Sequence, residues 1–374
     1  MNFNRINTIE KNISPKRVLV VYGPRRVGKT TSLKKYLESQ KNLAIFSSVG
    51  DDLKMRELFN SEDRDKILNF AKSYDVIAID EAQNIAKIGI AVKMIIDEFP
   101  EKNIILTGSS SFNLSQGISE PLTGRHFMMT LFPVAQSEIE MSDFELENKV
   151  EDFLIFGSYP EVLTTEDREM KKRILNELIS SYLFKDILVL DKIKSSELLL
   201  DITRCLAFQI GSEVSYGEIA KTVKADSKTV QRYIDVLEKM FVIKKVRPFS
   251  RNLRNEISKK CKFYFYDTGV RNAVINQFMD IKERDDVGAL WENFMFMELY
   301  KKNSLDRRFD NFYFWRTHTG EEIDIIIEAG GKLYPIECKW RRDKMKIPKS
   351  WIETYKSEPI KIINKDNYLK ELRG

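Results

Sequence analysis

Two groups of residues in this 374-residue chain have the types and spacing for chemistry. The first is Gly23-Pro24-Arg25-Arg26-Val27-Gly28-Lys29-Thr30, followed by Thr31, a G-x-x-x-x-G-K-T run directly after the apolar stretch Val18-Leu19-Val20-Val21. A strand that feeds a glycine-bounded turn into a helix aims several backbone N–H groups at one point, and the electropositive helix N-terminus makes that point attractive to phosphate. Gly23 and Gly28 stand where the backbone must turn tightly or approach phosphate closely. Lys29 brings the charge that reaches the β and γ phosphates, and the Thr30 hydroxyl is the expected magnesium ligand. About 50 residues on, Val76-Ile77-Ala78-Ile79 ends in Asp80-Glu81. Asp80 at the carboxyl end of a strand suits magnesium held through water, and Glu81 suits polarising the attacking water. ATP and Mg2+ are the cofactors this pairing implies.

The second group lies near the C-terminus. Gly320-Glu321-Glu322-Ile323-Asp324 opens an apolar run to Glu328, Gly330-Gly331 makes a turn, and Leu333-Tyr334-Pro335-Ile336-Glu337-Cys338-Lys339-Trp340 returns. This reads as a hairpin. Glu337 and Lys339, two apart, project to one face of the second strand, and Asp324 on the first can approach them. An Asp and a Glu sharing a divalent cation beside a lysine form the D…E-x-K core of metal-dependent nucleases, where the metal stabilises the scissile phosphate and activates water. A helical stretch from Gly288 to Met295 offers Glu292 as a further acid and metal ligand, with Glu298 as the fallback.

The elements that must position these groups are legible in outline. Four short apolar runs, at 18–21, 43–46, 76–79 and 104–106, alternate with helical patterns, as expected of strands buried on both faces of a parallel sheet. The N-terminal fold class is therefore α/β, over residues 1–145. Residues 146–200 read as a helical connector with a hinge at Gly157 and Pro160, in which Ile174, Leu178, Leu183 and Ile187 keep a helical period. In 201–285, a short helix from Ser215 and a second capped by Ser227, with Val230, Tyr233, Ile234 and Leu237 on one face, precede a strand at 241–246. That is the pattern of a winged helix-turn-helix. Its second helix would offer Lys228, Thr229, Gln231 and Arg232 to DNA, with Arg247, Arg251 and Arg254 for phosphates. Residues 286–374 form the last, small α/β domain.

Taken together, G-P-R-R-V-G-K-T, I-D-E-A-Q, L-T-G-S-S and the L-T-G-R before Leu131-Phe132-Pro133 resemble the uncharacterised prokaryotic AAA-type P-loop ATPases of archaea and bacteria, which carry a C-terminal restriction-endonuclease-like domain. Phe156-Gly157-Ser158-Tyr159-Pro160-Glu161 and Tyr266-Asp267-Thr268-Gly269 match the junctions of that group, so the resemblance covers nearly the whole chain. It implies that Thr107 or Ser109 senses the γ phosphate, although a plain strand-to-loop turn fits those small residues equally well. Arg125, with Arg25 and Arg26 as alternatives, would neutralise charge on the transferring phosphoryl group, in cis or from a neighbouring subunit of a homo-oligomer. The order Glu292, Asp324, Glu337, Lys339 matches the restriction-endonuclease-like pattern, with Ile323 where the best-known form has proline.

Composition narrows the class. With 43% hydrophobic and 31% charged residues the chain is a folded protein, and its apolar runs fall far short of the roughly 20 residues of a membrane span. The N-terminus lacks an apolar secretory core, so a cytoplasmic location is expected. Cys205, Cys261 and Cys338 lack zinc-clip spacing, and two histidines, His126 and His318, argue against a zinc site or a Ser-His-Asp hydrolase. A net charge of +5 is compatible with nucleic acid, and the basic residues cluster at 244–260 and 339–346. The expectation is an ATP-hydrolysing protein that couples turnover to DNA binding or cleavage. The competing expectation is a nucleotide-dependent switch whose C-terminal half docks protein or DNA without cutting.

Overall fold

The computed structural model describes residues 1–108, 121–181, 195–250, 260–317, 319–341 and 348–373. Ser109, Leu183, Ile187, Arg251, Arg254, His318 and the basic residues Arg342, Lys344 and Lys346 lie outside the described residues. The chain parts into two compact units, one of residues 5–132 with 239–241, the other of residues 1–4, 133–238 and 242–374. The parting between the units falls at 132/133, and residues 285 and 286 belong to the same unit.

The first unit runs β1 (Val18–Tyr22), α1 (Lys29–Ser39), β2 (Ile45–Val49), α2 (Leu53–Asn60), α3 (Arg64–Lys72), β3 (Val76–Asp80), α4 (Ile88–Glu98), β4 (Asn103–Thr107) and β5 (His126–Thr130). All five strands are parallel, in the order β2-β3-β4-β1-β5. Every residue of β1 and β3 is buried, which is why these strands read as unbroken apolar runs rather than alternating ones. Helices α2 and α3 start on Asp52 and Asp63, whose carboxylates accept the first free N–H groups. The order sets β1 between β4 and β5, and the carboxyl ends of β1, β4 and β3 share one edge of the parallel sheet, the edge where open α/β sheets bind ligands.

The second unit begins with α5 (Asp143–Phe156), α6 (Pro160–Thr164), α7 (Arg168–Ser181) and α8 (Ser196–Phe208). Then come α9 (Tyr216–Thr222), α10 (Ser227–Lys239), the antiparallel pair β6 (Ile243–Pro248) and β7 (Lys262–Phe265), and α11 (Thr268–Val274). A long helix, α12 (Val287–Leu305), leads into β8 (Asn311–Arg316), β9 (Glu322–Ala329), β10 (Lys332–Cys338), α13 (Lys349–Thr354), β11 (Lys361–Ile363) and α14 (Tyr368–Arg373). Six strands form one sheet in the order β11-β10-β9-β8-β6-β7, because β6 pairs in parallel with β8 through Arg247 and Pro248. The strand pair after the helix-turn-helix is therefore continuous with the last α/β region. The α10 cap differs from the sequence expectation: Asp226, not Ser227, accepts the Thr229 N–H at 2.8 Å, because the residue that precedes the first helical turn does the capping.

Candidate functional sites

Gly23 ends β1 with φ 146°, Arg26 has φ 59° and Gly28 has φ 94°, so the loop winds through left-handed conformations before α1 begins at Lys29. A side chain at Gly23 would meet the Leu131 carbonyl oxygen at 2.0 Å, so glycine is required by close approach as well as by φ. The Lys29 side chain is buried, and its ammonium donates to the carbonyls of Gly23 and Pro24, both at 2.9 Å, which holds it over the loop. Val27 is fully buried and anchors the turn, whereas Arg26, Thr30 and Thr31 are exposed and Arg25 is half-buried.

Across the sheet edge, the Thr30 hydroxyl donates to Asp80 Oδ2 at 2.7 Å, and the Thr107 hydroxyl at the end of β4 donates to the other Asp80 oxygen. Thr107 also accepts the Glu81 N–H at 3.3 Å. Glu81 lies just beyond β3 with φ 51°, and its carboxylate accepts from the Gln83 amide. One patch at the carboxyl edge therefore collects Lys29, Thr30, Asp80, Glu81 and Thr107. A hydroxyl and a carboxylate oxygen at contact distance are a donor pair that suits Mg2+, so Thr30 and Asp80 would hold it, directly and through water. Sequence spacing left Thr107 open, and its bonds to both Asp80 and Glu81 tie it to this patch.

Arg125 is placed elsewhere. It precedes β5, whose first residue His126 pairs with Val18 at the amino end of β1, while Thr130 pairs with Tyr22 beside the loop. Five strand steps, about 17 Å, separate it from the loop's edge of the sheet. Its Nε donates to Asp97 Oδ1 at 2.6 Å in an exposed pair. Arg125 thus stands at the opposite edge of the sheet from this chain's own phosphate loop.

In the second unit, β9 and β10 pair antiparallel with Ile336 opposite Ile325, and continuing the register sets Glu337 opposite Asp324. Asp324 Oδ2 accepts the Cys338 N–H at 2.8 Å. Lys339 Nζ lies 2.7 Å from Glu337 Oε1, while Glu337 Oε2 is buried without a hydrogen-bond partner among the described residues. Glu292 on α12 points into the same region, and its Oε1 accepts from Lys262 Nζ at 2.8 Å and from the Tyr264 hydroxyl at 2.6 Å. A cavity of about 570 Å³ is lined by Glu292, Asp324, Lys339, Trp340, Arg341 and Lys365 among others.

Burial, and then the charge of Asp324, raise the Glu337 carboxyl above the usual range, and burial likewise raises Asp324 against the opposing pull of Lys262. Burial pushes Glu292 up to about 7. For Lys262, burial pulls the ammonium pKa down, but Glu292 and Glu322 outweigh it and the net shift is upward. Asp324 and Glu337 fit a divalent cation on the chemistry of the pair: two adjacent buried carboxylates, one with an oxygen that no described residue satisfies. Among the described residues no group of three or more acids, histidines or cysteines is arranged to hold a metal, and Glu292 is already engaged by Lys262. Glu298, the fallback acid, lies further along α12, paired with Lys301 at 2.8 Å and accepting the Gln136 N–H. Lys262, Tyr264 and Glu322 escape a motif search. The one available signal is the alternation Lys262-Phe263-Tyr264, which puts a lysine and a tyrosine on the same face of an otherwise aromatic strand.

Helix α10 exposes Lys228, Gln231 and Arg232, and β6 exposes Arg247. Thr229 is instead spent on the cap, its hydroxyl donating to Asp226 at 2.6 Å. Part of the basic cluster pairs within the module, Lys260 with Glu218 at 2.6 Å and Lys244 with Glu238 at 3.6 Å.

Comparison with known proteins bears on the first of these sites. An AAA domain model matches residues 15–140. This part of the chain is similar to AAA-type P-loop, nucleotide-binding domains. Beyond the AAA domain, residues 147–280 and 287–367 match two domains of unknown function, DUF8612 and DUF4143. An uncharacterised protein of Mycobacterium tuberculosis is 25% identical over 329 residues, covering 86% of this chain and 70% of that protein. An uncharacterised protein of Methanocaldococcus jannaschii is 23% identical over 361 residues, covering 87% and 75%. Among solved structures, the replication initiator DnaA bound to AMPPCP and single-stranded DNA is 19% identical, covering 61% of this chain and 84% of that one at a TM-score of 0.30. Drosophila ORC bound to DNA is 12% identical at a TM-score of 0.24, covering 71% and 91%. Scores this low carry no argument. No helix among the described residues is long and apolar enough to cross a membrane.

Proposed function

We propose that the protein is a Mg2+-dependent ATPase whose second unit acts on DNA, binding it and cutting it in a metal-dependent reaction. In the AAA domain Lys29 would neutralise the β and γ phosphates, the Gly23–Thr30 backbone would cradle them, and Glu81 would orient the attacking water. Mg2+ bound by Thr30 and Asp80 supplies charge neutralisation at those phosphates. In the second unit Asp324 and Glu337 would hold a divalent cation, which polarises a phosphodiester and its attacking water. Lys339 would sit against the phosphate, and Arg341 and Lys365 at the rim would attract the nucleic-acid backbone.

The observation that carries the nucleolytic part is the meeting of Asp324 and Lys339 at one cavity with basic residues on its rim, with Glu337 paired to Lys339 behind it. A second reading, a nucleotide-dependent switch that binds without cutting, is favoured by the internal pairing of Lys339 with Glu337 and of Lys262 with Glu292. ATP turnover measured with and without single-stranded, branched and duplex DNA, scored together for cleavage, separates them. Cleavage lost in Asp324→Asn and Lys339→Ala supports the nuclease. DNA binding without cleavage in any metal leaves only the switch.

A further inference from the structure

Glu292 has the sequence position of a third cation ligand, yet its surroundings commit it to something else. Lys262, which carries the opposing charge, has a side chain with 0% exposure. It reaches Glu292 Oε1 at 2.8 Å and Glu322 Oε1 at 2.5 Å, and its ammonium stands 5.4 Å from the centre of the Phe314 ring. Tyr264, also buried, donates to the same Glu292 oxygen, and a side chain at Gly211 would stand 3.1 Å from the other. An ammonium this deep is tolerable only with its carboxylates in place, and the carboxylates only with it. Glu337 is the opposite case: its side chain is 9% exposed, and among the described residues Oε2 has no hydrogen-bond partner although it lies beside Asp324. A buried carboxylate oxygen left unsatisfied next to a second acid is where a cation is missing from the charge balance.

We infer that Lys262 is a positioning residue that holds Glu292 as its internal counter-ion, so that a single divalent cation binds to Asp324 and Glu337 alone. The inference rests on the metal-dependent reading of this site. It assigns α12 the task of fixing the floor of the cavity, through a pair that spans α12 and β7, and the two hairpin strands the task of taking the ion. Two carboxylate charges then balance one divalent cation, and Glu292 brings no third.

The test is titration of the full chain with Mn2+, without nucleotide, following free Mn2+ by electron paramagnetic resonance, in an Asp80→Asn background that removes the phosphate-loop carboxylate. One Mn2+ should bind per chain, weakened at least about tenfold by Asp324→Asn or by Glu337→Gln, and unchanged by Glu292→Gln. Lys262→Met should tighten Mn2+ by releasing the Glu292 charge toward the ion, and Lys262→Met combined with Glu292→Gln should return it to the parent value, a reversal that a purely structural role would not produce. Loss of Mn2+ in Glu292→Gln equal to that in Asp324→Asn, or a second ion lost with Glu292, overturns the inference while leaving the metal site standing. No Mn2+ uptake by the parent removes the metal-dependent reading and this inference with it.

Discussion

The two sites each set a buried lysine among acids, and they support its charge in different ways. Lys29 is held by backbone carbonyls of its own loop, and the nearby acid Asp80, itself buried, accepts from the hydroxyls of Thr30 on α1 and Thr107 at the end of β4. Among the described residues Lys262 is held by two carboxylates, one from a helix and one from a strand that follow it by 30 and 60 residues. The first arrangement is made by the main chain and a contiguous motif. The second is made by tertiary packing, so removal of one partner strands a charge in the interior.

The largest expected effect follows from that contrast. Lys262→Met should cost about 3–5 kcal/mol of stability, read by urea unfolding of the second unit, and the double variant with Glu292→Gln should recover much of it. A loss indistinguishable from that of an exposed lysine would place Lys262 on the same footing as the surface pairs and end the comparison. Lys29→Ala should lower ATP turnover by about two to three orders of magnitude with little change in melting temperature, since its bonds are to carbonyls that water can satisfy. Turnover near the parent value would remove Lys29 from the chemistry. Gly23→Ala should destabilise the first unit by about 1–3 kcal/mol, because the added methyl meets a backbone oxygen, at 2.0 Å, that cannot rotate away. Thermal unfolding of the variant measures it, and a neutral result would mean that Leu131 yields.

What the sequence makes legible divides along the same line. The strand order is not readable, but the buried runs 18–21, 76–79 and 104–106 and the loop between Gly23 and Thr30 are, because a parallel strand covered on both faces and a glycine-bounded turn each leave a local imprint. Asp80 is legible for the same reason, standing where its strand ends. In the second unit the hairpin from Glu322 to Cys338 is visible through its turn, Gly330-Gly331, with φ of 55° and 78°. The partners of Glu292 are not visible, since Lys262 and Tyr264 meet it only once β7 is laid against α12. Continuity of β6 with β8 is hidden for the same reason: parallel pairing between strands over 60 residues apart has no sequence signature, so the helix-turn-helix and the last α/β region read as separate domains.

Arg125 gives the smallest effect and the sharpest limit on the motif reading. L-T-G-R is a local pattern, and a local pattern does not say at which end of a sheet its residue emerges. Here the register of β5 on β1 puts it at the amino edge, in an ion pair with Asp97 in which both side chains are about 40% exposed or more. Exposed pairs of this kind contribute about 0–1 kcal/mol, so Arg125→Ala should leave the melting temperature nearly unchanged. If the residue has no role in hydrolysis, turnover should be unchanged as well, at every protein concentration. If it acts on a second copy of the chain, the variant's turnover should match the parent's when dilute and fall behind it as concentration rises. A loss of turnover independent of concentration is the outcome that the position at the amino edge forbids.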